Sequence, residues 1–197
     1  MVETPIFQTT FGNGTALVSS VAAANFSFNS VLQQIYSTSL SNGIFFFTNR
    51  VDSSDWHFGS PDHTPNDING YMMIVGSEGP PKEFYRRAAD ELCISQRYEF
   101  SAYMANLVPP RGLENPIVRF EIRTAPPLNE TIARFDTGPI LEKATLTWVK
   151  YGVSFVPSNQ SVILSMIALV ASGGGNDLAV DDITLRPCGS TILDPCV

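Results

Sequence analysis

Short apolar or alternating runs recur along this chain, and each is the length of a strand: IFFFT (44–48), GYMMIV (70–75), YEFSAYMANL (98–107), IVRFEIR (117–123), ATLTWVKYGVSFV (144–156), SVILSMIALV (161–170) and DLAVDDITLR (177–186). Between them stand SNG, DING, SEGPP, VPPRG, TAPPLN, VPSN and SGGGN, all built from turn-forming residues. Runs of this kind, each stopped by Gly, Pro or Asn, form antiparallel sandwiches. The expected fold is therefore all-β, an antiparallel β-sandwich. Only KEFYRRAADELC (82–93) has helical character, and it is short enough to be a connecting turn or a strand. With 197 residues and 44% hydrophobic content, a single domain over 1–188 can bury one continuous core.

The 19 acidic residues outnumber the 12 Lys and Arg, giving a net charge of −7 that opposes nucleic acid and anionic membranes as partners. The longest apolar stretch, VILSMIALVA (162–171), is about half of what a membrane-spanning helix needs, so no membrane insertion is expected. Residues 12–40 carry no charged side chain, and residues 1–40 read as an N-terminal arm or edge strand. GSTILDPCV (189–197) reads as a C-terminal tail. Met1 is followed by VETPIFQTT, without a basic n-region or an early apolar stretch, so export implies a trimmed signal or another route. Sequons at Asn13, Asn25, Asn129 and Asn159 point to a glycoprotein, extracellular or on a cell surface. Three cysteines, Cys93, Cys188 and Cys196, leave one over if a disulfide forms.

In the run DLAVDDITLR, strand alternation places Asp181 with Ala179, Ile183 and Leu185, and Asp182 with Val180, Thr184 and Arg186. A carboxylate facing a dry interior needs a cation, backbone N–H donors or an arginine such as Arg119. In WHFGSPDHTPNDINGY (56–71), the order Asp67, Asn69, Gly70 is that of part of a calcium loop, in which oxygen ligands need a glycine for a sharp turn. The candidate metal ligands are thus Asp67, Asn69, Asp181 and Asp182, with calcium as the structural ion. Trp56 and Tyr71 are the candidate sugar-stacking aromatics. There is no GxSxG, no HExxH and no cysteine beside a histidine, so a non-enzyme is expected.

The order FGNG, DHTPNDINGYMMIV, FY, LCISQRYEFSAYMANL, TGPI, WVKYGVSFV and GGGNDLAVDDITLRPCG, from about Phe11 to Gly189, resembles a jelly-roll domain of large secreted, adhesion and gliding-motility-associated surface proteins of Bacteroidetes-type bacteria. That domain is similar to carbohydrate-binding modules and MAM-type sandwiches, of the galactose-binding-like type. The resemblance implies a structural calcium held by the last-strand aspartates, Asp181 or Asp182, with Gln8 at the first-strand position. It also implies a disulfide between Cys93 and Cys188, whose long loop would add roughly 4–5 kcal/mol in the chain-entropy model.

Two functions follow. The first is a non-catalytic extracellular structural subunit that assembles with copies of itself into a filament or surface layer, by strand exchange or edge-strand pairing of a terminal segment. The alternative is a secreted, lectin-like carbohydrate-binding adhesion module with a glycan ligand.

Overall fold

The computed structural model describes residues 4–39, 41–76, 79, 81–170 and 174–189. Among these residues there are eleven strands: β1 (Phe7–Thr9), β2 (Gln33–Gln34), β3 (Ile44–Thr48), β4 (Met72–Gly76), β5 (Lys82–Ala89), β6 (Tyr98–Asn106), β7 (Val118–Thr124), β8 (Thr131–Asp136), β9 (Val149–Phe155), β10 (Val162–Ala168) and β11 (Leu178–Pro187). One sheet runs β2-β3-β4-β11-β6-β9, with β1 also pairing with β11; the other runs β5-β10-β7-β8. All pairs are antiparallel except β2 with β3. The fold is a jelly-roll sandwich, and among the described residues no α-helix forms, only a 3-10 turn at Ala23–Phe26.

The larger sheet is covered on both faces. Phe45, Phe47, Met73 and Val75 enter the core between the sheets, while Phe46, Met72 and Ile74 enter a second cluster with Val51, Trp56 and Leu107. This is why IFFFT and MMIV read as unbroken apolar runs: both faces of the strand are dry.

KEFYRRAADELC is a strand over most of its length. Tyr85 pairs with Met166 and Glu83 with Ile167, so Phe84 is the extra residue of a β-bulge. The bulge sends both Phe84 and Tyr85 into the core, which breaks the alternation that would have marked the segment as a strand. The edge strand β8 has no apolar run to betray it. It is mostly exposed and is tied to β7 by Arg119, which donates through Nε and Nη2 to Asp136 at 2.7 and 2.8 Å.

The charge-free N-terminal segment lies on its own sandwich. Phe11 stacks on Phe47 and Phe28 on Tyr85, each with ring centroids 4.8 Å apart, and β1 pairs with β11. Residues 4–39 are therefore layers of the domain, not an arm extending from it. Cys93 is disulfide-bonded. Cys188 sits near the same turn, its N–H donating to the Arg97 carbonyl at 2.7 Å and its carbonyl accepting from Gln96 Nε2 at 3.0 Å. Cys196 and the rest of the tail beyond Gly189 lie outside the described residues. The Cys93–Cys188 pairing is a proposal for peptide mapping of unreduced protein: a peptide joining Cys93 to Cys188 supports it, and one joining Cys93 to Cys196 replaces it.

Candidate functional site

Two polar regions stand out, and both depend on how β11 meets β1. Asp181 pairs with Tyr103 and Thr184 with Ser101, so Asp182 and Ile183 together oppose Ala102 in a second β-bulge. Asp182 takes the left-handed conformation there, φ 48°. On one side of the bulge β11 is flanked by β4, through residues 178–180; on the other it is flanked by β1, through residues 183–185. The bulge also shifts the phase of the strand. Val180, Ile183 and Leu185 share the core between the sheets, while Ala179 belongs to the outer cluster. The expected grouping of Asp181 with Ala179, Ile183 and Leu185 is thus corrected, because the extra residue reverses the faces beyond Asp182.

Asp181 is fully buried, and its carboxylate holds down the loop between Trp56 and Gly70. Its Oδ2 accepts from the N–H groups of His63 (2.9 Å) and Thr64 (3.2 Å) and from the Thr64 hydroxyl (3.3 Å), and Oδ1 accepts from the Asp182 N–H (2.8 Å). Asp182 lies 2.6 Å from His63 Nδ1 and accepts from Gln8 Nε2 (3.1 Å) and the Thr64 hydroxyl (3.2 Å). The His63 ring stacks on Tyr103 at 3.6 Å and meets Trp148 edge-on at 5.8 Å. Burial, and then the charge of Asp182, push the Asp181 carboxyl up to about 8 against the opposing effect of the N–H donors. Asp62 is raised as well, first by burial and then by Asp67. Of the sources of compensation open to Asp181, backbone N–H groups are the ones in place; Arg119 is on the other sheet with Asp136.

The remaining candidate ligands are placed otherwise. Asp67 Oδ1 accepts from Asn13 Nδ2 at 2.8 Å, and Asn69 is exposed, its carbonyl accepting from the Gly14 N–H at 3.0 Å. The sharp turns of this loop are made by Asn66 and Asn69 at φ 63° and 59°. Gly70 serves a different purpose: a side chain there would collide with the Asp62 and Asp67 carboxylates. Hard oxygens of this kind suit calcium. As arranged, however, those of Asp181 and Asp182 already face N–H, O–H or imidazole partners, and among the described residues no group of three His, Cys, Asp or Glu side chains could hold a metal. The residues do not fit the ion in this arrangement.

Trp56 and Tyr71, the expected sugar-stacking pair, are core residues. Both are buried; Trp56 Nε1 donates to Asp177 Oδ2 at 3.1 Å and the Tyr71 hydroxyl to the Ala16 carbonyl at 2.8 Å. Neither presents a ring face to a ligand, because each side chain anchors a covering loop to the larger sheet.

The second region is an open cleft of about 340 Å3 at the edge where β1 and β5 close the sandwich. Phe7, Thr9 and Thr10 form one wall, Asn25 and Ser27 the other, and Arg87 reaches in from β5. The Arg87 guanidinium lies 3.7 Å above the centroid of the Phe7 ring, and its Nη1 donates to Thr9 Oγ1 (3.4 Å) and the Phe26 carbonyl (3.3 Å). Behind it the Tyr85 hydroxyl is buried with no partner but Arg87; burial raises its pKa, and the charge and hydrogen bonding of Arg87 oppose that rise. Sequence reasoning passed over Arg87, since RRAA within a segment of helical character carries no sign that one arginine faces a gap between sheets.

No protein-family model matches the chain, and no curated protein matches its sequence. Solved structures do share its fold. The CBM22-1 xylan-binding domain of Paenibacillus barcinonensis Xyn10C aligns over 96% of this chain and 97% of its own, with a TM-score of 0.54 and 10% identity. The Stig cyclase Fisc from Fischerella sp. TAU, solved with an indole compound, aligns over 84% and 86%, with a TM-score of 0.57 and 11% identity. An arabinose-bound GH51 α-L-arabinofuranosidase, MgGH51, aligns over 89% of this chain at a TM-score of 0.53 and 12% identity; the chain spans only 25% of that enzyme. The class defined is a jelly-roll β-sandwich with the architecture of carbohydrate-binding modules. Binding domains and cyclases share this fold, so function has to be argued from the site.

Proposed function

We propose that this chain is a secreted carbohydrate-binding module whose ligand enters the cleft between β1 and β5. The observation that carries the reading is the cleft itself, about 340 Å3 and open, with the hydroxyls of Thr9, Thr10 and Ser27 and the Asn25 amide around it. Its size is that of a small-ligand pocket, and donors and acceptors of this kind match sugar hydroxyls. The likeness to a xylan-binding domain over nearly the whole of both chains supports the reading. It also favours glycan binding over the filament subunit, whose N-terminal arm is here part of the sandwich.

Secretion is supported by the disulfide at Cys93 and by the exposure of all four sequon asparagines, Asn13, Asn25, Asn129 and Asn159. Asn25 also lines the cleft, so a glycan attached there would stand at its mouth. Protein made without glycosylation is therefore the material to test. In affinity electrophoresis through soluble xylan, pectin or alginate, at least one polysaccharide is expected to retard the chain, and Thr10→Val with Ser27→Ala to abolish the retardation. Free migration through all of them, or retardation indifferent to both substitutions, would overturn the reading. Calcium takes no part in it and has its own test: a Tm raised by millimolar calcium, and no longer raised in Asp182→Asn, would return the last-strand aspartates to a ligand role, whereas an unchanged Tm retires it.

A further inference from the structure

We propose that the cleft selects an anionic sugar, a uronate carboxylate or a sulfate ester, and that Arg87 is the residue that recognises it. The inference rests on the glycan-binding reading and names the class of sugar. Of the twelve Lys and Arg, Arg86, Arg111, Arg119, Arg123, Lys150 and Arg186 each face a carboxylate within 4 Å, and of the six that do not, Arg50, Arg97, Arg134 and Lys143 are exposed to water while Lys82 and Arg87 are partly buried. Arg87 is partly buried and, among the described residues, makes no ion pair. A guanidinium drawn away from bulk water without a counter-charge is costly, and an anion entering the cleft removes that cost.

Arg87 is also preorganised. The Phe7 ring supports one face of the guanidinium, its Nη1 donates to Thr9 and Phe26, and the Tyr85 hydroxyl lies beside it. A guanidinium carries five N–H donors, so donors remain for the two oxygens of a carboxylate or sulfate. A side chain already held in one orientation loses little freedom on binding. Thr9, which accepts from Nη1, is itself 5% exposed, so the anchor is fixed by the sandwich and not by solvent-facing groups.

The test is calorimetric titration of the full, unglycosylated chain with three probes of equal length: an oligoglucuronate, a sulfated oligosaccharide and a neutral xylo-oligosaccharide. At least one anionic probe is expected to bind about tenfold or more tightly than the neutral one, a difference of about 1.4 kcal/mol. Which anionic probe wins assigns carboxylate or sulfate. Arg87→Gln is expected to erase the preference, and Arg87→Lys to retain part of it, with both variants matching the parent in near-ultraviolet circular dichroism. If the neutral probe binds as tightly as both anionic ones, or if Arg87→Gln keeps the preference, the inference falls while the glycan-binding reading stands. If none of the three binds, the reading falls with it.

Discussion

The buried aspartates at the β11 bulge and the arginine in the β1–β5 cleft are both ionisable groups set inside a sandwich, yet they are answered in opposite ways. Asp181 receives three N–H donors from the chain itself and shares the Thr64 hydroxyl with Asp182, which also has His63 and Gln8 as partners. That region is closed, and its hydrogen bonds hold the 56–70 loop onto the sheet. Arg87 has an aromatic support and two long hydrogen bonds of 3.3–3.4 Å, with open space beyond. A polar group satisfied from within is a structural clamp, whereas a cation held in place but left without a counter-ion is suited to a ligand.

That contrast can be broken most sharply at Asp181. Replacing it by alanine strands the N–H groups of His63, Thr64 and Asp182 in a buried place, and at about 1–3 kcal/mol for each unsatisfied group the expected loss is about 3 kcal/mol or more. Urea denaturation measures it; a loss below about 1 kcal/mol would mean the loop holds without its clamp. Arg87→Gln is the counterpart, expected to change stability by no more than about 1 kcal/mol while weakening anionic-glycan binding. If it unfolds the protein instead, the arginine is a structural element and the contrast disappears.

Tyr71→Phe sharpens the comparison from a third position. It removes only the hydroxyl that donates to Ala16, so a loss of about 1 kcal/mol with unaltered glycan binding is expected; weakened binding would restore Tyr71 to the ligand site. The smallest effect concerns pH. Burial pushes the Asp177 carboxyl up to about 6, against the lowering effect of its hydrogen bond from Trp56. A folded-state value above the unfolded one of about 4 means that this group's contribution to stability is full below about pH 4 and is lost as pH rises through about 6. Asp177→Asn should flatten that part of the stability–pH curve, and a curve of unchanged slope would place the titration elsewhere.

The sandwich was legible in the sequence because seven strands carry long apolar or alternating runs that turn residues delimit. What escaped were features that break alternation or lack apolar character. β5 hides behind the Phe84 bulge, β8 behind polar residues at an edge, and the phase of β11 behind the extra residue at Asp182. The candidate site was legible in part. Asp181 and Asp182 were singled out, and they do form a buried polar centre, but one satisfied by the backbone of a loop far away in sequence. Trp56 and Tyr71 were read as open aromatics because aromatic type alone does not say which side of a covering loop a ring faces. Arg87 had no local signal, since its meaning comes from the Phe7 ring 80 residues earlier in the chain.

The central claim, that the β1–β5 cleft is where this module meets its glycan, is tested most directly by assigning backbone amide resonances and titrating the unglycosylated chain with whichever oligosaccharide it retains best. The account predicts that the largest shift changes fall on residues 7–12, 25–27 and 87. Changes centred on residues 62–64, 103, 148, 181 and 182, with the cleft amides unmoved, would contradict it.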